Sequence, residues 1–118
     1  MDAKTIILLD RDADLCATLR AMLESEGHAV FTATTPAGLL TELSKRHVDA
    51  VLTNRVFGSF EGKASLLATI RAMQPPTAIV LTTRWHGNDP VLFDAILPKP
   101  FSILDVREVL AAVTRRRR

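Results

Sequence analysis

Thr5-Ile6-Ile7-Leu8-Leu9-Asp10-Arg11-Asp12 opens with five consecutive residues that are apolar or β-branched and closes on a charged triplet. A half-buried strand would alternate apolar and polar positions. An unbroken run fits a strand covered on both faces. Asp12 is a good N-cap for the next segment, since Leu15, Leu19, Met22 and Leu23 recur at helical spacing and Gly27 stops the pattern. A doubly covered strand that leads directly into an amphipathic helix is the first half of a βαβ unit.

The same alternation continues outward. His28 to Thr34 reads as a second strand, and Thr35-Pro36 as a cap with proline at the first helical position of a helix reaching about Arg46. Val48-Asp49-Ala50-Val51-Leu52-Thr53-Asn54 is a third strand. Arg55 to Gly62 reads as a loop, Ala64 to Met73 as a helix, and Gln74-Pro75-Pro76 as its breaker. Thr77 to Thr82 is a fourth strand, Thr83 to Pro90 is irregular, and Val91 to Leu97 holds a short fifth strand. Ser102, with Asp105 three positions on, begins the last helix as a variant capping box. The expected fold is α/β: a five-stranded parallel, doubly wound sheet with helices on both faces. In such sheets ligands bind at the carboxyl ends of the strands, where strand order reverses. That rule gathers Asp10, Arg11, Asn54, Thr82 and Lys99.

Composition narrows the function class. The chain has 118 residues, 47% hydrophobic and 24% charged, which suits one globular domain. The run from Ile6 to Leu9 is too short for a signal-peptide core, so a cytoplasmic location is expected. Cys16 is the sole cysteine. It has no activating motif and reads as a packed thiol. The net charge of +2 comes from the closing Arg115, Arg116, Arg117 and Arg118; without them 11 basic residues face 13 acidic ones. The expected division is therefore a domain over 1–114 and a basic tail over 115–118. A solvated helix end and a contact with nucleic acid both suit that tail. His28, His47 and His86 are spread along the chain without metal-ligand spacing. A phosphate-binding loop of the flavin type is disfavoured, because Asp10, Asp12 and Asp14 put carboxylates where such a loop needs Gly, Ser or Thr.

Leu97-Pro98-Lys99-Pro100-Phe101, the strand ending in Asn54, the strand ending in Thr82, and Asp10 after the first strand together resemble the response-regulator receiver domains of two-component systems, over nearly the whole chain. The resemblance implies a flavodoxin-like strand order of 2-1-3-4-5, a cis-prolyl neighbour for Lys99, and a pocket in which Asp10, Arg11 and Val56 occupy the acidic, metal-holding positions and Asn54 the phosphoacceptor position. Thr82 and Lys99 are retained. Receivers accept a phosphoryl group on an aspartate with Mg²⁺ bound. An amide cannot serve as that nucleophile, and Arg11 replaces a carboxylate ligand. One carboxylate and two cations give the site a positive sign, which disfavours Mg²⁺.

The interval from Thr82 to Lys99 is also shorter than in typical receivers, which implies a shortened fourth helix. Ile96 stands where the family has its switch aromatic, and Gly58 where it usually has a proline. These departures imply a degenerate receiver with no enzyme activity, no cofactor, and Mg²⁺ binding lost or weak. It would bind a protein partner: a sensor kinase, an output domain, another regulator, or a second copy through the family's face of fourth helix, fifth strand and fifth helix. Trp85, Ile96 and Phe101 are the candidate interface residues. The alternatives are an active phosphorelay regulator with a non-standard acceptor (Asp10, Asp12 or Glu61) and a nucleic-acid module using the arginine tail.

Overall fold

The computed structural model describes residues 3–54, 60–83 and 93–115, with backbone only for 60–64 and 115. Five strands form one parallel sheet in the order β2-β1-β3-β4-β5: β1 (Thr5–Leu9), β2 (Ala29–Ala33), β3 (Ala50–Thr53), β4 (Ala78–Thr83) and β5 (Ala95–Pro98). Among the described residues, four helices accompany them: α1 (Ala13–Ser25), α2 (Pro36–Lys45), α3 (Phe60–Met73) and α4 (Ile103–Arg115). The fold class is as the alternation of apolar runs predicts, and the strand order is the one the receiver resemblance implies. The expected shortened helix between the fourth and fifth strands falls in 84–92, outside the described residues. The family's last helix corresponds to α4, which includes Arg115.

Period-two geometry divides the core. Ile6, Leu8, Ala50, Leu52, Ala78 and Val80 face one side, where α1 (Cys16, Leu19, Leu23) and α4 (Val106, Leu110, Val113) cover them. Ile7, Leu9, Val51, Ile79 and Leu81 face the other, beneath α2 (Leu39, Leu43) and α3 (Leu66, Leu67, Ile70). Each buried valine, leucine or isoleucine among them contributes roughly 1.5–3 kcal/mol. Continuous runs such as Ile6 to Leu9 result because both faces of the central strands need apolar side chains. β2 and β5 are the edges and are only partly covered. Pro98, which has no N–H for a further ladder, is tolerated on the edge strand β5.

Caps fix where the helices begin and end. Asp12 accepts the Leu15 N–H at 3.0 Å and Thr35 accepts the Gly38 N–H at 3.1 Å. At α4 the Ser102 N–H donates to Asp105 Oδ2 at 2.8 Å and the Asp105 N–H to Ser102 Oγ at 3.2 Å, a reciprocal box. Gly27 takes φ +92° after α1, while the Gly27 N–H reaches Glu24 O and the His28 N–H reaches Leu23 O. That pair of bonds is a Schellman close.

The expected loop over Arg55 to Gly62 is corrected at its end, because α3 begins at Phe60. Gly62 lies in the first helical turn, where the amides have no intrahelical partner yet, so it does not exclude helix there. Gln74, read from sequence only as part of a breaker, joins three elements. Its Nε2 donates to Leu43 O and Arg46 O at 2.9 and 2.7 Å. Its Oε1 accepts from the Val48 N–H at 2.8 Å and from Thr77 Oγ1 at 3.0 Å.

Candidate functional site

Strand order reverses between β1 and β3. The chain leaves β1 toward β2 and returns to build β3, β4 and β5 on the other side, which opens a crevice at the carboxyl ends of β1 and β3. Asp10 stands there, only 7% exposed, its N–H held by Ala33 O of β2 at 3.1 Å. Asn54 follows β3, and its N–H reaches Leu9 O at 3.3 Å, which puts it beside Asp10. The register Thr53 to Leu81 then brings Thr82, 3% exposed, next to Asn54. The Lys99 N–H donates to Thr83 O at 2.7 Å, and the Lys99–Pro100 peptide is cis. The backbone thus gathers Asp10, Arg11, Asn54, Thr82 and Lys99 at one crevice. Val56 lies outside the described residues.

The side chains give the crevice its electrostatics. Lys99 Nζ stands 3.6 Å from Asp10 Oδ2, with 18% and 10% of the two side chains exposed. The other oxygen, Asp10 Oδ1, accepts the Asp12 N–H at 2.9 Å. Arg11 points outward as an exposed residue and forms no ion pair among the described residues. Cys16 lies buried beneath, its Sγ 3.6 Å from Asp10 O. Burial raises its pKa above the usual thiol value, and the Asp10 and Asp12 carboxylates add to the rise. The thiol is inert packing, as expected from its helical setting.

An open groove of about 740 Å³ runs from the crevice along α1. Leu15, Leu19 and Met22 of α1 form one wall, Pro100 and Phe101 the other, with Asp12 and Lys99 at the mouth. Phe101 packs on the α1/α4 side of the sheet and Ile96 on the α2/α3 side, so these two candidate interface residues do not share a surface. Trp85 and the last three arginines lie outside the described residues, as does the side chain of Glu61. The α1 wall was missed in the sequence, where Leu15 and Met22 read as ordinary core. Their signal is the width of the apolar stripe, wider than one sheet face needs.

No protein-family model matches the chain, and no curated protein matches it. Solved structures do. A response regulator receiver domain protein (CheY-like) from Methanospirillum hungatei JF-1 superposes with a TM-score of 0.84 at 21% identity, over 98% of this chain and 97% of that one. A two-component response regulator from Clostridium difficile gives 0.80 at 22% identity, over 96% and 97%. The chemotaxis response regulator CheY4 of Vibrio cholerae gives 0.81 at 17%, over 95% and 99%. This is the receiver fold. At these identities the likeness is one of fold.

Receivers of this fold imply Mg²⁺, and the residues present do not suit it. Octahedral Mg²⁺ wants several hard oxygen ligands. Asp10 is already committed through one oxygen to an amide and through the other to an ammonium. Asp12 uses an oxygen to cap α1. The intervening residue is a cation.

Proposed function

We propose that this receiver-fold chain works as a protein-binding module held in one state, on which no aspartyl phosphate forms. The observation that carries the reading is Asn54. It follows β3 beside Asp10, at the position the receiver resemblance assigns to the phosphoacceptor. A neutral amide oxygen is too weak a nucleophile for in-line attack on phosphorus. Two further features support it. The Lys99 ammonium, which would meet a phosphoryl group, is occupied by Asp10. Arg11 stands where the receiver resemblance puts a metal-ligating carboxylate, so the crevice lacks one of the hard oxygen ligands that Mg²⁺ wants.

The partner on this reading is a protein: a sensor kinase, an output domain or another regulator, with a homodimer around β5 and α4 as a further arrangement. An open groove with an apolar floor and charged mouth suits a peptide or helix surface better than a small polar substrate. The test is amide NMR of the whole chain during addition of Mg²⁺ and then beryllofluoride. The expected result is no saturable shift at Asp10, Asn54, Thr82 or Lys99 at millimolar concentrations. Saturable shifts at those residues would overturn the reading.

A further inference from the structure

At the opposite, amino ends of the strands, two consecutive backbone amides at the start of β1 are held by titratable side chains. The Lys4 N–H donates to His28 Nδ1 at 3.0 Å. The Thr5 N–H donates to Asp49 Oδ2 at 2.8 Å. The backbone completes the arrangement: the Ala29 N–H reaches Lys4 O at 2.9 Å on the β2 side, and the Asp49 N–H reaches Thr5 O at 2.8 Å on the β3 side. His28 is only 7% exposed. Its own N–H closes α1 on Leu23 O, which anchors its backbone, and burial surrounds the ring.

We propose that His28 is an acid-released latch, holding the Lys4 amide to β2 only while its imidazole is neutral. Because a backbone N–H points at Nδ1, that nitrogen must carry the lone pair and Nε2 the proton. A second proton on the ring would place an N–H against the Lys4 N–H, donor facing donor. The bond is then lost and the amide is left without its acceptor.

The surroundings set the direction of the response. Burial lowers the His28 pKa from its ordinary 6.5, and this outweighs the other influences. The carboxylates of Glu26, at the close of α1, and Asp49, before β3, favour the charged ring, and the Lys4 ammonium opposes it. Glu26 is itself paired with Arg107 of α4, and Asp49 lies 3.3 Å from the exposed His47. A folded pKa below the unfolded one means the stabilisation is complete above about pH 6.5 and lost as pH falls through the folded value. Release is local, because the Thr5 N–H stays on Asp49 and the Lys4 carbonyl stays on the Ala29 N–H of β2. Only the Lys4 amide is freed. The Asp10–Lys99 crevice lies at the other ends of the strands, so the latch is independent of what binds there.

The experiment is a ¹⁵N NMR titration of the whole chain from about pH 7.5 to about pH 5, with hydrogen exchange and far-ultraviolet circular dichroism at each point. The Lys4 amide shift is expected to follow the His28 ring titration, with the midpoint below the ordinary histidine value. Its exchange protection, corrected for intrinsic rate, should fall at least about tenfold while the dichroism stays constant. His28→Gln offers an oxygen acceptor that does not titrate, and should make the Lys4 amide insensitive to pH. His47→Gln, at an exposed position, should leave the wild-type response intact. A Lys4 amide that stays flat while His28 titrates would overturn the latch. So would a response abolished by His47→Gln, or a loss of dichroism that accompanies the first change at Lys4.

Discussion

The Lys99 ammonium stands 3.6 Å from Asp10 Oδ2, and the other oxygen of that carboxylate accepts the Asp12 N–H at 2.9 Å. One aspartate therefore ties the end of β1 to both the cap of α1 and the loop after β5. Both charged side chains are mostly buried, so removing either partner leaves the other poorly solvated. Asp10→Ala and Lys99→Ala should each destabilise the chain by about 1–3 kcal/mol, and the double variant should cost less than the two added together. Urea denaturation of the four proteins gives the cycle directly.

Gln74 makes four hydrogen bonds, to the end of α2, to the segment between α2 and β3, and to the turn before β4. Its removal strands two carbonyls and one amide at once, while the Thr77 hydroxyl keeps Val48 O as acceptor at 2.7 Å. Gln74→Ala is expected to cost about 2–3 kcal/mol and to raise amide exchange at Val48 before exchange at the centre of β3. Gln74→Glu, which sets a carboxylate against Leu43 O and Arg46 O, should be worse at neutral pH and partly relieved in acid.

Gly27 sits at φ +92° with nothing within 4 Å of where a Cβ would stand. The expected penalty of Gly27→Ala is therefore one of backbone conformation and not of collision, about 1 kcal/mol. Gly27→Asn should cost less, because asparagine tolerates the left-handed region better. Thermal melts of the three proteins would order them Gly, Asn, Ala.

Glu26 receives both the Nε and an Nη of Arg107, which ties the close of α1 to α4. The hydrogen bond from Arg107 lowers the Glu26 pKa below the ordinary carboxylate value of 4.5, and raises that of Arg107. A depressed carboxylate stabilises the fold above its unfolded pKa and loses that contribution as pH falls through the folded one. Arg107→Gln should return Glu26 toward its ordinary titration and flatten stability against pH in the acid range. Carboxyl ¹³C NMR reads the first effect and denaturation at several pH values the second.

The sheet was legible because its signals are local. Ile6 to Leu9 and Ala78 to Leu81 are apolar at every position, which only a doubly covered strand requires. Asp12, Thr35, Ser102 and Gly27 mark helix ends with chemistry confined to a few residues. The crevice was legible for a topological reason, since the strand order that the receiver resemblance implies brings Asp10, Asn54, Thr82 and Lys99 together. The cross-sheet polar bonds were not. Asp49 to Thr5, Gln74 to Leu43 and His28 to Lys4 span 44, 31 and 24 residues, and nothing local distinguishes these side chains from surface ones. The groove was hidden similarly, because Leu15 and Met22 carry the same spacing as true core, and the other wall, Pro100 and Phe101, lies far along the chain. Gly62 misled because its cost as a helix breaker depends on its distance from the helix start.

Intact-mass spectrometry of the chain incubated with Mg²⁺ and a small-molecule phosphodonor tests the proposed loss of phosphorylation most directly. The doubly substituted Asn54→Asp/Arg11→Asp protein, which restores the acceptor and the second carboxylate, serves as comparison. The expected result is no phosphoryl adduct on the wild-type chain under conditions in which the substituted protein gains one. An adduct of one phosphoryl group on the wild-type chain, dependent on Mg²⁺ and mapped to the crevice, would contradict the fixed-state reading.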